Sequence, residues 1–158
     1  MIPMTKAVQR LILHEGLRLK PYVCPKGYLT IGVGRNLLTN PLTAEEKAHL
    51  GHKNLKDGIT QNEAIYLLEN DIRKYQYLCR KHIPFFEDLS DERQYALLDM
   101  AFNLGISGLL KFKKMLAAMC IGDYRGAAKE CMNSRYAKDV GVRAQRIAML
   151  IQTEIWRV

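Results

Sequence analysis

Between Gly16 and Thr43 the chain stops spacing its apolar residues for a helix, and that interruption limits the possible folds more than any other feature. On its N-terminal side, Val8, Leu11 and Ile12 mark one helical face, with Thr5 as an N-cap and Gly16 as the stop. Leu17 to Val33 is short, Gly-rich and β-branched, ending in Leu29-Thr30-Ile31-Gly32-Val33. Pro25-Lys26-Gly27 supplies a turn, so the stretch predicts a small hairpin with a third short strand after it.

From Thr43 onward the pattern is helical again. Thr43 with Glu46, and Thr60 with Glu63, each fit a capping box, in which a hydroxyl and a carboxylate satisfy the free N–H groups of a helix start. The second box opens a long helix over about 61–81, with Ala64, Leu68, Ile72, Tyr75 and Cys79 on its apolar face and Pro84 beyond its end. Three or four more helices follow. One lies within Asp91–Leu104 and closes at Gly105, and another lies within Gly108–Cys120 and closes at Gly122. A short one follows Asp123, and the last, around Arg143–Trp156, carries Ile147, Leu150, Ile151 and Ile155. The implied class is α+β and mostly helical, a single domain over 1–158. Its parts are a first helix and small α/β lobe (about 1–60), an interlobe helix (about 61–81) and a helical lobe (about 82–158). Two lobes leave a cleft, which suits a polymer better than a buried pocket would.

Lys and Arg number 24 against 16 Asp and Glu, so the net charge is +8 and the surface attracts polyanions. Nucleic acid, anionic lipid and acidic wall polymer all satisfy that condition, and no nucleic-acid motif singles out the first. No apolar run at the start reads as a signal peptide or membrane span, which predicts a chain that stays in the cytoplasm where it is made. None of the four cysteines forms a C-x-x-C pair, and Cys79, Cys120 and Cys131 read as reduced, buried apolar residues. His49 and His52 share helical spacing but have no evident third ligand, so they read as solvent-facing and no metal is expected. Lys111, Lys113 and Lys114 read as a solvated face beside Leu109, Leu110, Phe112 and Met115, able to steer the protein toward an acidic wall.

Glu15 is the first candidate for chemistry. It falls on the face of Leu11 and Ile12 at the C-terminal end of its helix, where burial and the helix dipole both disfavour a carboxylate anion. That suits a group that delivers a proton, although a helix-end glutamate turned to solvent would occupy the same position. Eight residues separate Glu15 from Cys24, and five separate Cys24 from Thr30. The flanks are Glu15-Gly16-Leu17-Arg18 and Thr30-Ile31-Gly32-Val33-Gly34.

This constellation resembles the phage-type lysozymes (endolysins), a glycoside hydrolase family marked by a Glu, then an Asp or Cys, then a Thr at this spacing. Gly58-Ile59-Thr60 with Glu63-Ala64, Met100-Ala101-Phe102-Asn103-Leu104-Gly105, Ser134-Arg135-Tyr136 and Arg143-Ala144-Gln145-Arg146 carry the resemblance through the rest of the chain. It implies hydrolysis of the β-1,4 bond between N-acetylmuramic acid and N-acetylglucosamine in bacterial peptidoglycan. Glu15 would be the general acid, Thr30 would hold the attacking water, and Cys24 would assist the water or the transition state. Inversion follows if the water attacks from the opposite face.

Cys24 departs from the commoner Asp, because an unperturbed thiol titrates at about 8.5 and is mostly neutral at pH 7. Thiolate base, covalent nucleophile, neutral water-positioning group and a purely structural role all stay open for it. The resemblance further implies that Phe102 and Asn103 face substrate. It offers Arg143 as a counter-ion for Glu15, and Arg35 with Asp71 as a structural pair in which arginine replaces the family's usual histidine. It implies a monomer without cofactor, waiting in the host cytoplasm until a holin-type membrane protein opens the way to the wall. A lytic transglycosylase and a non-enzymatic cationic wall- or membrane-disrupting protein are the competing readings.

Overall fold

The computed structural model describes residues 1–158. Helix α1 (Met4–Glu15) buries Ala7, Val8, Arg10 and Leu11. It starts ahead of Thr5, so Thr5 lies inside the helix rather than capping it. Gly16 ends it as expected, its N–H returning to the Ile12 carbonyl at 2.8 Å.

The interrupted stretch is a three-stranded antiparallel sheet in the order β1-β2-β3, with β1 at Arg18–Val23, β2 at Leu29–Gly32 and β3 at Arg35–Asn36. The Cys24–Gly27 turn closes the hairpin through a bond from the Gly27 N–H to the Cys24 carbonyl (2.8 Å). Arg18 faces Gly32, Tyr22 faces Thr30, and a bulge between Arg18 and Tyr22 resets the register. On the other side of β2, Thr30 faces Asn36.

Both capping boxes form. Thr43 Oγ1 accepts the Glu46 N–H (3.0 Å) and Glu46 Oε1 accepts the Thr43 N–H (2.9 Å), opening α2 (Ala44–His49). Thr60 and Glu63 make the same exchange (3.1 and 2.8 Å) and open α3 (Gln61–His82). On α3, Ala64, Leu68, Ile72 and Cys79 are buried and Tyr75 is half-buried.

The chain forms two compact units, Met4–Asp71 and Met1–Pro3 with Ile72–Val158, divided within α3. In the first, Ile31, Leu50, Ile59, Ala64 and Leu67 form a core against which Leu17, Leu37, Leu42, Leu55 and Tyr66 pack. In the second, α4 (Asp91–Leu110), α5 (Lys113–Cys120), α6 (Tyr124–Met132), α7 (Arg135–Val140) and α8 (Val142–Thr153) are arranged so that α8 packs on α4, α6 and α7 and α5 packs on α6. Tyr95, Leu97, Leu98, Met100, Ile147, Leu150 and Ile151 are wholly buried there.

The second unit corrects several boundaries. The helix expected within 108–120 is two pieces, because the N–H groups of Lys111 and Phe112 turn back three residues to Gly108 and Leu109 and end the first piece before Lys113. Upstream, Gly105 breaks α4 as expected, with φ 74° and ψ 163°, a conformation that needs glycine. Five helices follow α3 rather than three or four. The additional one, α7, is too short to show a periodic face and is capped by Ser134, whose hydroxyl accepts the Ala137 N–H at 3.2 Å. Helix α8 stops at Thr153, short of the expected Trp156. Arg93 caps it by donating to the Ile151 carbonyl (2.7 Å) and the Gln152 carbonyl (3.2 Å), and Ile155 lies outside the helix and exposed. Cys79 and Cys131 are buried as expected, but Cys120 is exposed, because Met115 and Met119 hold the inward face of α5. No helix is long and apolar enough to cross a membrane.

Candidate active site

Glu15, Cys24, Thr30, Arg35 and Asp71 all belong to the unit Met4–Asp71. Glu15 is the last residue of α1 and half-buried. Its side chain lies against the turn that follows β2. A Cβ built on Gly34 would sit 2.9 Å from Glu15 Oε2 and 3.3 Å from Glu15 Cβ, and Gly34 has φ +64°. A side chain there would displace the carboxyl, so glycine is required both for its backbone and for its bareness.

Cys24 and Thr30 meet at the hairpin turn. The Tyr28 carbonyl accepts both the Cys24 N–H (2.9 Å) and the Thr30 hydroxyl (2.9 Å). The single Thr30 proton can serve either the Tyr28 carbonyl or the Cys24 sulfur, and its oxygen keeps lone pairs able to accept a further O–H. Thr30 is buried and Cys24 half-exposed. Hydrogen bonding from the Tyr28 backbone holds the Cys24 thiol below its ordinary pKa. Burial opposes this, and the Lys26 backbone, the Thr30 side chain and the Gly27 backbone reinforce it. The Lys26 contribution comes through its backbone rather than its ammonium.

Tyr22 is a residue that spacing alone did not reveal. Opposite Thr30 in the sheet, it has its pKa raised first by burial and then by the Glu15 charge, with Cys24 adding to the rise and Arg18 opposing it. The phenol therefore lies in the field of both acidic candidates.

Arg35 is buried with three carboxylate contacts. It meets Glu46 in a two-pronged pair (Nη2–Oε1 2.7 Å, Nη1–Oε2 3.1 Å) and Asp71 through Nη1 (3.2 Å), and its Nε donates to the Asn40 carbonyl at 2.7 Å. Asn40 Nδ2 also donates to Asp71 (2.9 Å) and Asn70 Nδ2 to Glu46 (3.1 Å). Burial alone would raise the Glu46 carboxyl; the Arg35, Thr43 and Asn70 hydrogen bonds outweigh it and bring the pKa to about 2. Glu46 had been assigned only a capping role, so its second use was missed.

Phe102, Asn103 and Arg143 belong to the other unit. Phe102 packs at a tilt on Tyr75, with ring centroids 5.7 Å apart. Asn103 Oδ1 is buried and accepts no hydrogen bond. Arg143, for which the sequence offers Glu15 as a counter-ion, is anchored within its own unit on Asp99 (Nε–Oδ1 2.8 Å), whose other oxygen accepts the Tyr95 hydroxyl at 2.8 Å. Asp99 is wholly buried in an apolar run, which hid it from sequence reasoning. His49 and His52 are exposed, and His49 stacks on Tyr66 at 3.7 Å. Lys111, Lys113 and Lys114 are exposed as expected.

The phage lysozyme family model matches residues 13–150. The chain is 33% identical over 164 residues to the pre-baseplate central spike protein of Enterobacteria phage T4, a match covering 96% of this chain and 28% of that longer protein. It is 30% identical over 158 residues to the probable T4-type lysozyme 1 of Dictyostelium discoideum, covering 88% and 89% of the two chains. It is also 32% identical over 130 residues to an endolysin of Acyrthosiphon pisum secondary endosymbiont phage 1, covering 82% and 77%. The chain belongs to the phage lysozyme family and is a glycoside hydrolase.

Proposed function

We propose that this enzyme cleaves the β-1,4 bond between N-acetylmuramic acid and N-acetylglucosamine in peptidoglycan, with Glu15 as general acid. The observation that carries this reading is the shared Tyr28 carbonyl, which sets Cys24 and Thr30 side by side in the sheet whose exit turn backs Glu15. Glu15 gives its proton to the leaving glycosidic oxygen as the bond to the muramic sugar breaks. A water donates one hydrogen to Thr30 Oγ1, which turns its lone pair toward the anomeric carbon. Cys24, with its lowered pKa, accepts the water's second proton or stabilises the cationic transition state. Attack from the face opposite the leaving group inverts the anomeric configuration. In this reading Phe102 and Asn103 contact substrate, Arg143 supports the site, and the Arg35–Asp71 pair is structural.

The biological setting we infer is host-cell lysis. The enzyme works as a monomer on the wall, reaching it from the cytoplasm after a holin-type protein has opened the membrane. The name of the endolysin relative supports that setting.

Mass analysis of fragments released from purified peptidoglycan tests the chemistry. Reducing-end fragments from the wild type, and none from Glu15→Gln, are expected. Fragments one water lighter would identify a lytic transglycosylase. Cell lysis that survives Glu15→Gln would favour cationic disruption.

A further inference from the structure

Tyr22 and Arg18 share the sheet with Thr30, and the proposed mechanism uses neither. Residues directly opposite in an antiparallel pair project from the same face, so Tyr22 stands beside Thr30 on that face. Arg18 faces Gly32, which has no side chain to oppose it, and its guanidinium carbon lies 4.6 Å from the centre of the Tyr22 ring. The cation braces the ring from one side. The ring is only half-buried, and neither the Tyr22 hydroxyl nor the Arg18 guanidinium has a hydrogen-bond or carboxylate partner in the protein. Donors left unspent beside an acid and a hydroxyl are suited to a polar, hydroxyl-rich ligand.

We infer that Tyr22, braced by Arg18, is a substrate-binding residue whose hydroxyl hydrogen-bonds the sugar between Glu15 and Cys24. The inference rests on the glycan-cleaving reading above. Desolvation and the Glu15 and Cys24 charges keep the phenol protonated well beyond neutral pH. It therefore acts as a neutral donor or acceptor and takes no proton in the reaction.

Two measurements test this. The first is steady-state cleavage of soluble peptidoglycan fragments by wild type, Tyr22→Phe and Glu15→Gln, each with its thermal midpoint. Tyr22→Phe keeps the ring and removes only the hydroxyl. It is expected to lower kcat/KM about tenfold, mainly through KM, with an unchanged midpoint. The second is binding of Glu15→Gln to insoluble peptidoglycan, with and without Tyr22→Phe, which needs no turnover. The double variant is expected to bind about tenfold more weakly. Wild-type kcat/KM and undiminished binding in the Phe variants would overturn the inference, as would a loss of activity that follows a lowered midpoint. A wild type that releases no fragment, or a Glu15→Gln that releases as many, would overturn the catalytic reading instead. The binding measurement would then still decide whether Tyr22 meets the glycan.

Discussion

Replacing Gly34 by alanine should separate activity from stability, because the two costs arise from different atoms. The stability cost comes from the backbone. An L-residue held at φ +64° loses about 1–2 kcal/mol. In a chain of this size that lowers the thermal midpoint by roughly 2–8 °C. The activity cost comes from crowding. The new methyl would lie 2.9 Å from Glu15 Oε2 and 3.1 Å from Glu15 Cδ. An ordinary carbon–oxygen contact is about 3.3–3.6 Å, so the carboxyl must move by roughly 0.5 Å. The moving atoms are the end of a flexible side chain, which adds little to the stability loss. Yet a displacement of about 1 Å at a reacting group costs on the order of 10²-fold in rate, so half that shift should cost about tenfold. The assay pairs thermal unfolding with the initial rate of fragment release at a temperature well below both midpoints. A variant destabilised as stated but cleaving at the wild-type rate would refute the claim that Gly34 fixes the Glu15 carboxyl.

Three other outcomes follow from the geometry. Arg35→Ala should cost about 3–5 kcal/mol in urea unfolding, because it leaves Glu46 and Asp71 buried without their cation. In a cycle with Asp71→Ala the losses should be non-additive by at least about 0.5 kcal/mol, and strict additivity would sink the pairing. The Glu46 carboxyl is depressed from 4.5 to about 2, so its contribution is fully present above pH 4.5 and is lost as pH falls toward 2. Glu46→Gln should therefore destabilise at neutral pH and have a shrinking effect below pH 4; an effect that grows on acidification would contradict the assignment. Alkylation of native protein should label Cys24 at a pH below that needed for an ordinary thiol. Cys79 and Cys131, pushed up to about 12 by burial, should react only after unfolding, and peptide mass mapping distinguishes the sites.

Features closed within a few residues were legible from the sequence. The Thr43–Glu46 and Thr60–Glu63 boxes, the Gly16 stop and the Pro25-Lys26-Gly27 turn each depend on bonds spanning three or four positions, and the Gly105 break on one residue's backbone conformation. Glu15, Cys24 and Thr30 are equally close along the chain, at the end of α1 and on the hairpin that follows it. The boundaries that were misread depend on distant partners. Helix α8 ends where it does because Arg93, 58 residues away, binds its Ile151 carbonyl, and no pattern within the helix announces that. Arg143 meets Asp99 across 44 residues, and Asp99 sits among apolar neighbours in sequence.

The sequence by itself determined the types of element, most of their caps and the residues available for acid chemistry, because those follow from backbone hydrogen bonds and side-chain identity at short range. Tertiary structure alone decided what those residues touch. It gave Glu46 a second task, with Oε1 taking both the Thr43 N–H and the Arg35 guanidinium. It turned Cys120 outward by filling the inner face of α5 with methionine. Through one bulge in β1 it placed Tyr22 opposite Thr30. Between the Arg18–Gly32 and Tyr22–Thr30 pairs the register shifts by two residues, and without that shift Lys20 would face Thr30, so the placement could only be read once the strands were paired.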